Sequence, residues 1–300
     1  MNKPMTVRND AADASPVKAE SLQVEQGKTV GIGTGFHAVT FREKDFFGAM
    51  DPLVMVDHYR MSEPTFGPHP HAGLSAVSVL FEDSEGAFHN RDTLGNDFDL
   101  LPGDVYWLKA GAGVVHDEAP REGARIHGLQ VFVNLPDIDR ASVPASRHVP
   151  AEKMPFYESQ GSRVRILLGR SNGLTGALSP AQPMTMLDGH LQVEGRFHHT
   201  SDHGENVWIV AIKGDMTVAR AGQQACLSAG QAIALSPLEG DGKQVLQFRN
   251  AGANIAHFVL FAAAPLGESF VQKGPYVAAT QADIQRIEAD YAAGKFGYLN

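Results

Sequence analysis

The chain has 300 residues, 43% of them apolar and 20% charged, with a formal net charge of −9. This is the balance of an ordinary globular protein, and the length favours two cores of usual size over one. The acidity excludes a non-specific grip on nucleic acid or anionic lipid, which needs a basic face, but not the binding of a protein partner.

Residues 1–28 are polar, rich in Ala and Asp, and lack an apolar core segment, so they are expected to form a loose tail rather than a signal peptide. No later stretch approaches 18 consecutive apolar residues, and no membrane span is expected. Short alternating or apolar runs recur at 53–56, 75–81, 105–108, 129–133, 164–168, 207–212, 232–235 and 258–261. Turn signals such as Leu94-Gly95-Asn96, Pro102-Gly103-Asp104 and Lys213-Gly214-Asp215 separate them. Many short strands with few helical patterns predict an all-β protein built as sandwiches or barrels.

Cys226 is the only cysteine, so no intrachain disulfide can form and a reducing, cytoplasmic setting is expected. Its apolar neighbours Ala225 and Leu227 suggest a buried small hydrophobe rather than a catalytic thiol. The clearest helical pattern comes last. Thr280 and Asp283 have capping-box spacing, Ile284, Ile287 and Tyr291 form one stripe, and Gly294 is placed to end it.

A faint internal repeat links Pro102-Gly103-Asp104-Val105-Tyr106-Trp107-Leu108 with Ala229-Gly230-Gln231-Ala232-Ile233-Ala234-Leu235, each a turn glycine feeding a strand. The chain therefore reads as two copies of one β-barrel: a tail over 1–28, a first barrel over 29–140, a linker over 141–160, and a second barrel with the terminal helix over 161–300. Pro136, Pro144, Pro150 and Pro155 mark the joint, as expected where no strand ladder must be kept.

Two short stretches carry the chemistry: His69-Pro70-His71 and His116-Asp117-Glu118. Residues two apart in an extended strand point to the same side, so two neighbouring strands can aim four ligands at one point. Three imidazoles and a carboxylate suit a divalent transition metal. With 13 His in the chain, one His-x-His is expected by chance about half the time, so the spacing alone is weak.

The surrounding residues supply context. The run Asp51-Pro52-Leu53-Val54-Met55-Val56-Asp57-His58 followed by His69-Pro70-His71-Ala72-Gly73 resembles the signature of the pirin family. So does Pro102-Gly103-Asp104 leading through Trp107 to Ala110-Gly111-Ala112-Gly113-Val114-Val115-His116-Asp117-Glu118. Further agreement lies at 128–136, 265–268 and 272–277, so the resemblance spans roughly residues 30 to 297. It implies a bicupin: two antiparallel jelly-roll barrels face to face, with terminal segments crossing between halves and a metal only in the N-terminal barrel. In this sequence the metal ligands implied are His69, His71, His116 and Glu118. The metal implied is Fe(2+), with Mn, Co, Ni, Cu or Zn able to occupy such a site. The family pattern differs at Ala72, Leu74, Ser75 and Ala112, which puts the expected change at the pocket mouth.

Some pirins open flavonols such as quercetin by dioxygenation. The resemblance thus implies a small aromatic substrate and dioxygen, with Glu118 as both ligand and catalytic base. Pirins are also transcriptional co-regulators, so the alternative is a metal- or redox-sensing protein that binds a transcription factor or metabolic enzyme without turnover. A monomer with no direct contact to nucleic acid or membrane is expected in either case. His89 is expected in a strand-pairing or supporting role, and His58 along the cavity. His198, His199, His203 and Glu205 read as the remnant of a metal motif whose partner histidine is missing from the second copy.

Overall fold

The computed structural model describes residues 20–159, 161–240 and 242–299. Within them the chain is almost entirely β, closed by the single helix Gln281–Ala292. The first barrel pairs a seven-stranded sheet with a four-stranded one. In spatial order the larger runs Ala145–Val149, Val105–Lys109, Leu74–Leu80, Ile126–Asn134, Leu53–Met61, Phe36–Arg42, Lys28–Ile32. The smaller runs His69–His71, Val114–Pro120, Phe88–Asp92, Asp97–Leu100. The second barrel repeats this with a seven-stranded sheet centred on Thr185–Leu191, Ala256–Ala263 and Asn206–Lys213, and a five-stranded partner. All eight runs picked out by composition fall on strands of the two seven-stranded sheets, with Phe81 alone one residue past the end of its strand. The faint repeat is real: Val105–Lys109 pairs with Leu74–Leu80 as Gln231–Leu235 pairs with Asn206–Lys213.

The larger sheets are apolar on both faces because one face lines a barrel and the other meets its counterpart. Phe41, Val77, Phe81 and Trp107 share one buried cluster with Leu167, Trp208, Val210 and Phe261. The Phe41 and Trp208 rings meet edge to face at 5.4 Å. Ring pairs of this kind add roughly 1 kcal/mol beyond the area they bury. The second barrel is filled by its own side chains, with Phe248 and Phe258 stacked at 4.6 Å on the axis of a cluster that includes Phe197 and Leu246. The first is filled at one end only, by residues such as Leu80, Leu100, Tyr106 and Leu108.

Both ends of the chain cross to the opposite barrel. Glu20–Ser21 runs parallel to Gln223–Ser228, and Glu25–Gln26 pairs with Gln231–Leu235. Part of the expected tail is therefore ordered strand on the second barrel, while residues 1–19 lie outside the described residues. In the other direction, the hairpin Val271–Lys273/Tyr276–Ala278 and the helix pack on the first barrel, where Tyr276, Ala278, Ile284 and Phe296 cover Ala72 and Val115. The stretch read as a linker also carries one strand for each barrel, Ala145–Val149 and Phe156–Ser159. Pro144, Pro150 and Pro155 stand outside these strands, where no ladder amide is lost.

The helix begins as its spacing predicts: Thr280 Oγ1 accepts the Asp283 amide at 3.2 Å and the reciprocal capping bond is present. Ile284 is fully buried and Ile287 packs beside it. Cys226 departs from expectation and is exposed. Its strand alternates, turning Ala225 and Leu227 inward and the thiol outward. No helix among the described residues is long and apolar enough to cross a membrane.

Two glycines explain why the C-terminal arm docks where it does. Gly73 has φ +73°, and a Cβ there would stand 1.8 Å from the Val277 carbonyl oxygen; one at Gly113 would stand 2.1 Å from the Phe296 ring. Gly73→Ala is expected to cost at least about 2 kcal/mol in chemical denaturation, because left-handed strain and a backbone collision add. Gly95→Ala, at φ +91° with nothing within 4 Å, should show only the strain, about 1 kcal/mol. Equal costs at the two positions would contradict the docking argument.

Candidate metal centre

The strand His69–His71 runs antiparallel to Val114–Pro120 with His116 opposite His69 and Val114 opposite His71. Pleating then puts His69, His71, His116 and Glu118 on one face, while Asp117 points away to an ion pair with Arg91 at 2.9 Å. The Nε2 atoms of His71 and His116 lie 2.9 Å apart, and those of His116 and His69 lie 3.0 Å apart. Two cis ligands at about 2.1 Å from one ion would be about 3.0 Å apart, so the spacing fits a metal.

Protonation supports the same reading. Burial pushes His71 down to about 3, helped by the neighbouring His69, and holds His116 well below the usual imidazole range. His69 is lowered too, again by burial. Three neutral rings facing one another cannot all be satisfied by each other's protons, and Nδ1 of His116 is buried without a partner. His69 is better defined, since its Nδ1 lies 2.9 Å from the Gly67 carbonyl. That bond puts the proton on Nδ1 and leaves the Nε2 lone pair directed at the cluster, as in ligating histidines.

Glu118 stands on the same face but is turned toward the opposite sheet, where Ser78 Oγ lies 2.7 and 2.9 Å from its two oxygens. The three donor nitrogens form one compact group without it. Burial raises the Glu118 carboxyl to about 7, against the pull of the Ser78 hydroxyl.

The four side chains form the floor of a cavity of about 700 Å³. Met55, Asp57, Tyr59 and Met61 line it from one strand, Gln130 and Phe132 from the next, and Phe36, Phe66 and Phe88 complete an aromatic wall. Gln272, Gly274 and Pro275 of the C-terminal hairpin close one side. Tyr59 Oη and Gln130 Nε2 are buried without partners. Ser78, Tyr59 and Gln130 carry no motif that marks them in the sequence. The signal for the last two was period-2 alternation from the cavity-facing positions of their strands.

The other histidines sort by the same alternation. His58 does not line the cavity. It lies between Asp57 and Tyr59 on the strand's opposite face, with Nε2 2.8 Å from His127 Nε2 at the barrel seam. His89 pairs with Asp97 at 2.7 Å beside the strand ladder. In the second barrel, His199 reaches Ser171 and His203 reaches the Gly240 carbonyl, so among the described residues these and Glu205 form no ligand cluster. Ala72 pairs with Tyr276 and Leu74 packs with Val277 under the C-terminal arm, Ser75 is buried within its sheet, and neither these three nor Ala112 line the cavity, contrary to expectation.

The Pirin family model matches residues 32–133, and that of the Pirin C-terminal cupin domain matches residues 186–297. Pirin from Homo sapiens is 30% identical over 83% of this chain and 84% of its own length. Among solved structures, a quercetin 2,3-dioxygenase from Acinetobacter baumannii superposes with a TM-score of 0.80 at 24% identity, covering 95% of this chain and all of that one. The bacterial pirin YhhW from Escherichia coli, in complex with nickel(II), gives 0.61 at 17% identity over 81% of this chain and 99% of that one. These two likenesses show the shared fold.

Metal-free Glu118 gives a signed pH test. With its carboxyl near 7 when folded and 4.5 in the reference state, its contribution is fully present below pH 4.5 and is lost as pH rises through 7. Glu118→Gln should therefore gain stability over the wild type by roughly 2–3 kcal/mol between pH 5 and pH 8, read by urea denaturation. A difference that does not change with pH would contradict the buried, reluctant carboxylate.

Proposed function

Because the chain belongs to the pirin family, we propose that its N-terminal barrel holds one divalent transition metal, iron(II) foremost, on His69, His71, His116 and Glu118, and opens flavonols such as quercetin with dioxygen. The observation that carries this reading is the convergence of three neutral imidazoles in an aromatic-walled cavity that Glu118, held by Ser78, also lines. A bound divalent metal supplies Lewis acidity toward an enolic oxygen and redox chemistry with dioxygen. The protein supplies the rest.

A planar ligand of three rings suits a 700 Å³ cavity walled by Phe36, Phe66, Phe88 and Phe132. Tyr59 Oη and Gln130 Nε2 offer unspent donors to its oxygens, which gives orientation to an otherwise apolar grip. Glu118 takes the ligand's hydroxyl proton on a carboxylate oxygen that lines the cavity. Ser78 holds that carboxylate in place through its hydroxyl. The Gln272–Pro275 side of the cavity restricts water.

Protein loaded with iron(II) without air should consume oxygen on addition of quercetin, and Glu118→Gln should lower kcat by about 100-fold or more, the usual range for loss of a general base. Absence of uptake with Fe, Mn, Co, Ni, Cu and Zn in turn would overturn the enzymatic reading.

A further inference from the structure

The second barrel repeats, at a different place, the strand arrangement that builds the first site. Asp188 and His190 are two apart on Thr185–Leu191 and so share a face, and His257 stands directly opposite His190 on Ala256–Ala263. The backbone placement is that of His69, His71 and the facing His116; the rings differ, those of His190 and His257 lying 16° from parallel, so the accessible His190 turns about its side-chain bonds to ligate. Oxygen and nitrogen donors of the three side chains all lie within 4.8 Å of one another.

The group sits at the seam between barrels and not inside one. Phe81 of the first barrel meets the His257 ring edge-on at 4.6 Å. Arg165 donates to Asp188 Oδ2 through Nε at 3.1 Å and Nη2 at 2.6 Å, and through Nη1 to the Gly103 carbonyl of the first barrel at 2.8 Å. The guanidinium thus fixes the carboxylate by one oxygen and leaves Oδ1 directed at His257 Nε2, 2.6 Å away. A carboxylate oriented from behind in this way is how ligating groups are commonly held.

His190 is the accessible member. Its ring stacks on His257 at 4.1 Å, its nitrogens make no hydrogen bond among the described residues, and it lines a cavity of about 470 Å³ together with Glu82 and Arg163. The cavity gives an ion a route in and leaves room for water to complete its coordination. Glu82 and Asp188 face Arg163 and Arg165, so a cation would meet a field near neutral rather than a positive one.

We infer that Asp188, His190 and His257 form a second site for a divalent transition metal of the zinc class, distinct from the site at His69, His71 and His116. Two imidazoles, one carboxylate and solvent satisfy the four-coordinate preference of that ion. Ligation through His257 Nε2 requires that nitrogen to give up the proton it shares with Asp188 Oδ1.

The test counts zinc retained per full-length chain after stripping with chelator, loading with Zn²⁺ and desalting. The wild type should retain two equivalents, His116→Ala one, His190→Asn one, and the double variant none. In a thermal scan Zn²⁺ should raise the Tm of His116→Ala but not that of the double variant, which separates a lost ligand from a misfolded chain. Equal retention by wild type and His190→Asn, or no zinc held by His116→Ala, would overturn the second site. The His116→Ala arm reads it without reference to the first.

Discussion

The antiparallel register of His69–His71 against Val114–Pro120 is the constraint on which the rest depends. A slip of one residue would turn Asp117 inward and send His116 and Glu118 to the solvent face. The register is held from both sides of the strand. Val114–Pro120 also pairs along five positions with Phe88–Asp92, and the outward-facing Asp117 binds Arg91. Three desolvated, neutral imidazoles share too few protons to satisfy one another; the pairing brings them together, and a cation would resolve the arrangement.

The two barrels share a strand plan and differ in what fills them. In the second, Phe197, Phe248 and Phe258 occupy the interior, and the cavity beside His199 and Glu205 holds about 250 Å³. In the first, the corresponding volume is left open above the histidines and closed by residues from the far end of the chain. The crossing of termini therefore couples the halves. The hairpin wall at Gln272, Gly274 and Pro275 belongs to a segment that begins only after the second barrel is complete, so the site cannot be finished by the first barrel alone.

Much of this was legible in the sequence, for identifiable reasons. The strands of the two seven-stranded sheets stood out because both their faces are buried, and continuous apolar runs are hard to mistake. Strands of the smaller sheets, such as Phe88–Asp92 and Gln223–Ser228, were less visible, since one face is solvated and their composition is mixed. The helix was legible from Thr280 and Asp283, because capping is local. Its docking on the first barrel was not, because that rests on Gly73 and Gly113 making room some two hundred residues earlier. At the site, His69, His71, His116 and Glu118 could be grouped by strand period. The orientation of Glu118 toward Ser78, and the cavity roles of Tyr59 and Gln130, required the opposite sheet. The placement of His58 followed the same alternation, which turns it to the seam.

The central claim is that three histidines of the first barrel surround one metal. Iron K-edge X-ray absorption on protein loaded with a single equivalent of iron(II) tests it most directly. About three imidazole nitrogens at about 2.1 Å are expected, with the outer-shell scattering of histidine rings, falling by one in His71→Ala. A first shell of oxygen alone, or a spectrum unchanged by that substitution, would contradict it.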